Sequence, residues 1–160
     1  MATETKTLTW TGETETASLN KDENRYTKLD KSNGKVQGTI QKVSGTFNFS
    51  TNNAGVTYTV VATLCDNDYQ AIEGLSSTMK IDHEVDEATG KQVEFTFSGT
   101  AVTPDNLNKV EYIHFTSSNN KTSSSGKSAL IYIKGTQTLT IQYSFDPVHT
   151  ISYHNGTEWV

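Results

Sequence analysis

The residues whose types and spacing could bind an ion are acidic. Asp66-Asn-Asp-Tyr runs through a predicted loop, and Glu73 follows it. Several carboxylate oxygens in one loop are ligands that a hard cation such as Ca²⁺ uses. The spacing differs from that of an EF-hand, whose acidic residues, glycine and distal glutamate hold fixed positions. The sequence therefore predicts Asp66, Asp68 and Glu73 as candidate calcium ligands, with a solvated turn as the alternative.

Aromatic side chains outside the regular apolar rows suggest a second kind of site. A flat ring stacks on the C–H face of a pyranose, while amides and carboxylates bind the sugar hydroxyls. The candidate glycan-binding residues are Trp10, Asp66, Asp68, Tyr69, Tyr153 and Trp159. The alternative is that Trp10 and Trp159 cap the two ends of a hydrophobic core.

Catalytic signatures do not accompany these candidates. No histidine stands with a cysteine or a second histidine at metal-ligand spacing, and the sequence contains no Gly-x-Ser-x-Gly. His114 alternates with Ile113 and Phe115, so we expect it to face the opposite side of its strand. We therefore expect a protein that is not an enzyme and that needs no cofactor beyond the candidate calcium ion. An enzyme built on the same scaffold, with two carboxylates across a cleft, is the competing hypothesis.

The elements that must position these residues are β-strands. Apolar residues alternate with polar ones, mostly threonine, which is the pattern of strands with one face on a core and one in water. The clearest inward rows are Val56, Tyr58, Val60, Ala62 and Leu64; Val93, Phe95 and Phe97; and Leu139, Ile141, Tyr143 and Phe145. Strands 80–85 and 92–98 look like a hairpin, and only 105–110, started by Pro104, suits a short helical turn.

These patterns predict an all-β fold, an antiparallel two-sheet β-sandwich that is jelly-roll-like. An immunoglobulin-like strand order gives the same alternation and stays open as the alternative. The 160 residues suit a single domain, 1–160. Within it, 1–10 is a candidate docking arm and 149–160 a C-terminal hairpin.

Charge and hydropathy exclude some partners. The formal net charge is −5 and no lysine or arginine cluster is present, so we expect no nucleic-acid binding. No apolar stretch approaches the length of a membrane span, so no membrane partner is expected. The first residues, Met1-Ala-Thr-Glu-Thr-Lys, lack the apolar segment of a signal peptide. Cys65 is the only cysteine, and we expect it to be a small buried hydrophobic residue.

The C-terminal segment and several strands, 57–64 among them, resemble proteins of virus particles. Tyr153-His-Asn-Gly-Thr-Glu-Trp-Val resembles the Tyr-x-Asn-Gly-x-x-Trp hairpins of bacteriophage tail, fibre and decoration proteins. Gly45-Thr-Phe-Asn-Phe-Ser and the strand after Gly90 are similar to jelly-roll or lectin-like sandwiches of phage fibres and carbohydrate-binding modules. The resemblance implies a virion β-sandwich, and it transfers no individual residue role.

The resulting hypothesis is a structural phage virion protein that decorates a capsid or tail and contacts host glycans. Symmetric positions on a particle favour a homo-oligomer, and other virion proteins would be its partners. We expect it in the virion, made in the bacterial cytoplasm. The alternative is a cellular carbohydrate-binding or adhesin module.

Overall fold

Eight strands and one short helix form the described part of the chain. A computed structural model describes residues 3–19, 24–51, 57–81, 91–119 and 131–146. The predicted C-terminal hairpin, with Tyr153 and Trp159, lies outside these residues. The elements are β1 (Glu4–Ser18), β2 (Arg25–Lys28), β3 (Thr39–Thr51), β4 (Tyr58–Cys65), β5 (Ala71–Ile81), β6 (Lys91–Phe97), α1 (Pro104–Asn108), β7 (Tyr112–Asn119) and β8 (Ile131–Phe145).

The strands form two four-stranded antiparallel sheets. Sheet A has the order β1-β8-β3-β6, and sheet B has the order β2-β7-β4-β5. Eight strands divided in this way between two sheets make a jelly roll. The predicted antiparallel two-sheet sandwich of the jelly-roll type is therefore confirmed. The immunoglobulin-like alternative is wrong, because that fold places the first two strands side by side in one sheet, whereas here β1 and β2 belong to different sheets.

The core lies between the two sheets, where the predicted inward rows meet. Phe47 of sheet A contacts Phe95 at 5.1 Å between ring centroids and Phe115 of sheet B at 5.0 Å. Phe49 packs against the same two rings. Cys65 is buried as predicted, and burial raises the pKa of its thiol. The alternation of the sequence thus decides which side of each strand enters the core.

Two features shape the middle of sheet A. Gly45 lies under the ring of Phe47, and a Cβ at this glycine would fall 2.1 Å from the ring. Gln137 is fully buried at a bulge between β3 and β8. Its Oε1 accepts a hydrogen bond from the backbone N–H of Asn48 at 2.8 Å, and its amide nitrogen donates to the Lys134 carbonyl at 2.9 Å. The bulge therefore depends on a buried side-chain amide.

The short helix lies where the sequence predicts a helical turn. Pro104 occupies its first turn, and the Thr103 hydroxyl caps it by accepting from the backbone N–H of Asn106 at 3.2 Å. Asn108 ends the helix and bonds both backbone groups of Val36, at 2.9 and 2.8 Å. The helix therefore fastens the segment between β2 and β3 to the sandwich. Within the described ranges, no helix is long and apolar enough to cross a membrane.

Two predicted segments can be compared with the structure in part. Of the strands predicted as a hairpin, 80–85 and 92–98, residues 82–85 lie outside the described residues. Lys80 and Ile81 end β5, which bonds to β4 in sheet B, whereas β6 bonds to β3 in sheet A. Residues 4–10 of the segment predicted as a docking arm, 1–10, form the start of β1, which pairs with β8. A docking role for this segment stays a prediction. Alternating polarity shows which face is buried but not which strand lies alongside.

Candidate ligand-binding surface

Four aromatic side chains meet on the outer face of sheet B, and we call them the aromatic platform: Tyr26, Tyr69, Tyr112 and His114. Strand β7 carries Tyr112 and His114 at alternate positions, on the side opposite to the buried Ile113. Strand β2 places Tyr26 directly across from His114. Tyr69 comes from the loop between β4 and β5. The platform is therefore assembled from three separate stretches of chain.

The four rings form two stacks at right angles. Tyr26 lies over His114 with centroids 4.4 Å apart and planes 7° apart. Tyr69 lies over Tyr112 with centroids 4.3 Å apart and planes 23° apart. Tyr26 meets Tyr69 edge to face, at 5.1 Å and 84°. One ring of each stack is exposed, Tyr26 at 42% and Tyr69 at 50%, whereas His114 and Tyr112 are half-buried.

The loop that carries Tyr69 is held by Asp66. Its Oδ1 accepts hydrogen bonds from the backbone N–H groups of Asp68, at 2.8 Å, and of Gln70, at 3.1 Å. Tyr69 N–H donates to the Asp66 carbonyl at 3.1 Å. Tyr69 itself has φ +62°, in the left-handed region, and no other non-glycine residue in the described ranges has a positive φ. Bulky side chains are rare in this conformation, because Cβ crowds the backbone.

In two polar groups of the platform, His114 and Tyr112, the pKa is shifted in the direction that favours the neutral form. Burial lowers the pKa of His114 below its ordinary 6.5. In the tautomer protonated on Nε2, His114 donates to Asn24 Oδ1 at 2.9 Å. A hydrogen bond with Tyr69 raises the pKa of Tyr112, and desolvation adds to the rise. The surface thus combines flat rings with amide, imidazole and phenol groups, a composition that suits an uncharged polar ligand.

The predicted glycan residues separate into distinct places. Tyr69 lies in the platform, with the exposed Asp68 next to it in the loop. Trp10 lies in the core: its ring is fully buried, and its Nε1 donates to the Gly34 carbonyl at 3.2 Å. Lys31 Nζ covers this ring at 4.7 Å from its centroid. A sugar at the surface therefore cannot stack on Trp10, and its position agrees with the alternative of a core cap.

The three predicted calcium ligands do not form a metal-binding cluster in the described residues. Among the residues with described positions, no group of three or more His, Cys, Asp or Glu side chains could hold a metal ion. Asp66 uses one carboxylate oxygen to order its own loop, and Glu73 lies exposed on β5. Calcium binding by Asp66, Asp68 and Glu73 stays a prediction.

Three platform members were not among the sequence candidates: Tyr26, Tyr112 and His114. One signal for them was present, since His114 was expected to face away from Ile113 and Phe115, and it does. Tyr112 stands two positions earlier on the same strand, so it shares that outer face. What the sequence could not supply was the pairing of β2 with β7, which brings Tyr26 to the same place.

The outer face of sheet A is different, because hydroxyl side chains cover it. Cross-strand neighbours form two rows over β1, β8, β3 and β6, and we call them the hydroxyl face: Thr9, Thr140, Ser44 and Thr96 in one row, and Thr11, Thr138 and Thr46 in the next. Glu94 ends the second row. Such a surface can make water-mediated contacts without exposing apolar area.

Comparisons with known proteins give distant structural similarity alone. No protein-family model matches the chain, and no curated protein matches it. Solved structures similar to it include that of the Gx strain of infectious bursal disease virus, at 12% sequence identity and a TM-score of 0.45. The match covers 86% of this chain and 32% of the viral chain. The VP2 subviral particle of the same virus gives 10% identity and a TM-score of 0.41, covering 88% and 32%. FLHE gives 11% identity and a TM-score of 0.37, covering 87% and 96%. This chain spans about a third of the length of the viral chains. Similarity at this level carries no argument about function, and the jelly-roll assignment rests on this chain's own strand order.

Proposed function

We propose that this chain is a non-enzymatic structural protein of a virus particle, a jelly roll that decorates the capsid or tail of a bacteriophage. The observation that carries the proposal is the strand order, β1-β8-β3-β6 against β2-β7-β4-β5. Viral capsid domains and lectins share this architecture, so the step from fold to role is an analogy. The phage assignment draws on the resemblance of the C-terminal segment to phage tail and decoration proteins.

The outer faces of the sandwich agree with a role on a particle. The hydroxyl face of sheet A is polar and extends over four strands. Capsid and tail positions are symmetric, and a repeated small module fills them most simply as a homo-oligomer in contact with other virion proteins. We propose the hydroxyl face as the surface between copies, since a wet interface tolerates hydroxyl groups on both sides.

Light scattering on the full chain tests the assembly. We expect a stable trimer or hexamer, and we expect Thr140→Lys to dissociate it, because a long charged side chain beside Lys42 adds like charge in the middle of the hydroxyl face and would have to lose its hydration there. The control is Thr78→Lys, at an exposed position on β5 of sheet B. A monomer at all concentrations, or equal behaviour of the two variants, contradicts this interface.

Antibody labelling tests the location. An antibody raised against the chain should label intact virus particles from the source that encodes it. Purified particles without label contradict the virion role, whatever the oligomeric state.

A second candidate is a cellular carbohydrate-binding or adhesin module, and the aromatic platform is the observation that favours it. Two tyrosine rings, Tyr26 and Tyr69, are exposed side by side on a sheet whose outer face is otherwise polar. A monomer that binds a glycan and is missing from particles would favour this candidate over the virion protein.

A further inference from the structure

We propose that the aromatic platform is a binding site for an uncharged saccharide, with a pyranose stacked on one of the exposed rings of Tyr26 and Tyr69 and bordered by the other, which stands at 84° to it. Asn24, which is hydrogen-bonded to His114, and the exposed Asp68, which precedes Tyr69 in its loop, would bind the sugar hydroxyls. This assigns a ligand class to one surface of the domain, and it holds whether the domain belongs to a particle or to a cell. It therefore goes beyond the structural role proposed above.

Exposure is the first argument. Across the described ranges, three large apolar side chains are exposed: Tyr26 at 42%, Tyr69 at 50% and Met79 at 37%. Two of the three touch each other in the platform. Single exposed rings are ordinary on a protein surface, but adjacent ones that share a face mark contact sites.

The backbone of Tyr69 is the second argument. The loop holds Tyr69 at φ +62°, where glycine or asparagine is the usual residue. The chain nevertheless places a tyrosine there, and its ring lies 4.3 Å above Tyr112. Strained backbone of this kind concentrates at binding sites, because the strain holds a side chain where the ligand needs it.

Rigidity is the third argument. The phenol of Tyr26 is held by His114 beneath it, and that of Tyr69 by Tyr112. Asp66 fixes the loop through two backbone N–H groups. Rings that are already ordered lose little conformational entropy when a ligand arrives, which favours binding of a small, weakly interacting ligand such as a sugar.

Charge selects among ligands with apolar faces. Burial lowers the pKa of His114 below its ordinary value, which favours the uncharged imidazole. Charges of both signs border the rings, because Asp66 and Asp68 lie in the Tyr69 loop and Lys28 is the cross-strand neighbour of Tyr112 on the same outer face. A charged ligand of either sign would therefore meet like charge, which favours an uncharged one. A carboxylate beside an aromatic ring suits hydroxyl donors well, because each oxygen accepts from a sugar hydroxyl while the ring covers the C–H face.

The test begins with the full chain on an array of neutral oligosaccharides that contain glucose, galactose, N-acetylglucosamine or rhamnose. The strongest responder is then titrated by saturation-transfer difference NMR as its methyl glycoside. We expect Tyr69→Ala and Tyr26→Ala each to weaken binding about tenfold or more, as loss of a central aromatic contact does. Tyr69→Phe keeps the ring and should retain most of the affinity.

The matched control is Tyr132→Ala, which removes a half-buried tyrosine on β8 of sheet A and should leave binding unchanged. Far-UV circular dichroism confirms that each variant is folded. Three results overturn the proposal: no response from any neutral glycan, binding that survives both Tyr69→Ala and Tyr26→Ala, or platform-dependent self-association without sugar binding. None of these depends on the light-scattering or particle experiments, so the saccharide site and the virion role can fail separately.

Discussion

Tyr69 offers a test in which two substitutions differ only in the backbone. Tyr69→Ala and Tyr69→Gly both remove the ring and its contacts with Tyr26 and Tyr112. Alanine keeps a Cβ at φ +62°, whereas glycine does not. The left-handed conformation costs a non-glycine residue about 1–2 kcal/mol. Glycine loses about 0.4–1 kcal/mol through the greater freedom of its unfolded chain. The free energy of unfolding of Tyr69→Gly should therefore exceed that of Tyr69→Ala by roughly 1 kcal/mol.

Urea unfolding followed by far-UV circular dichroism measures both free energies of unfolding. Asp68 provides the control, because it is exposed in the same loop and its φ is not positive. There the order should reverse, with Asp68→Ala more stable than Asp68→Gly. If Tyr69→Ala proves as stable as Tyr69→Gly, the left-handed backbone does not strain the loop. Backbone strain at Tyr69 then no longer supports a saccharide site.

In the wild-type protein, ring contacts of Tyr69 offset the cost of its left-handed backbone. Each aromatic pair contributes about 0.5–1.5 kcal/mol beyond its buried area. Tyr69 makes two such pairs, with Tyr26 and Tyr112. Their sum is comparable with the cost of the left-handed backbone, so Tyr69→Gly should lower the free energy of unfolding only by the roughly 0.4–1 kcal/mol that glycine loses through its freer unfolded chain. The tyrosine then adds little net stability, which is the expected condition of a residue kept for contact with a ligand.

Three further substitutions test the sandwich. Gly45→Ala places a methyl group 2.1 Å from the Phe47 ring. Overpacking should then lower the free energy of unfolding in urea titrations by about 1–3 kcal/mol, and an unchanged midpoint would contradict the close packing. Gln137→Leu leaves the Asn48 N–H without its acceptor at a buried bulge, and we expect a loss of about 1–3 kcal/mol with the β spectrum retained; a gain in stability shows that the bulge does not need the amide. His114 has a lowered pKa when folded, so the folded protein binds protons less readily and its stability should fall as pH drops below about 6.5. His114→Gln should remove that part of the slope below about pH 6.5, and identical slopes for the two proteins contradict it.

The faces of the strands could be predicted because alternation records burial directly. Phe95 and Phe97 point inward with Thr96 between them on the outer face, as the sequence indicates. Trp10 was harder to assign, since aromatic residues serve both cores and ligand sites. Its place in the core nevertheless follows the same rule, because Leu8 and Trp10 alternate with threonines along β1. The period-two pattern was the better guide to Trp10 than its residue type.

Pairing could not be predicted in the same way. For the hairpin expected between 80–85 and 92–98, the described residues show that β5, which ends at Ile81, and β6, which begins at Lys91, belong to opposite sheets of the jelly roll. Both strands have the alternation of a hairpin, and turn residues separate them in the sequence. Alternation is satisfied equally well by either arrangement, since each strand buries one face in the same core. Only contacts between distant parts of the chain distinguish the two, and these leave no local mark.

The aromatic platform depends on pairing for the same reason. In the order β2-β7-β4-β5, strand β7 stands between β2 and β4. Tyr26 of β2 therefore contacts Tyr112 and His114 from one side, and Tyr69 contacts Tyr112 from the loop after β4. An immunoglobulin-like order would bury the same residues in the core but would separate β2 from β7. The four rings would then be isolated surface side chains, and Tyr69 would occupy a strained position with no ring to contact. The contacts of Tyr69 therefore depend on the strand order, because this order places the Tyr26 and Tyr112 rings beside its loop.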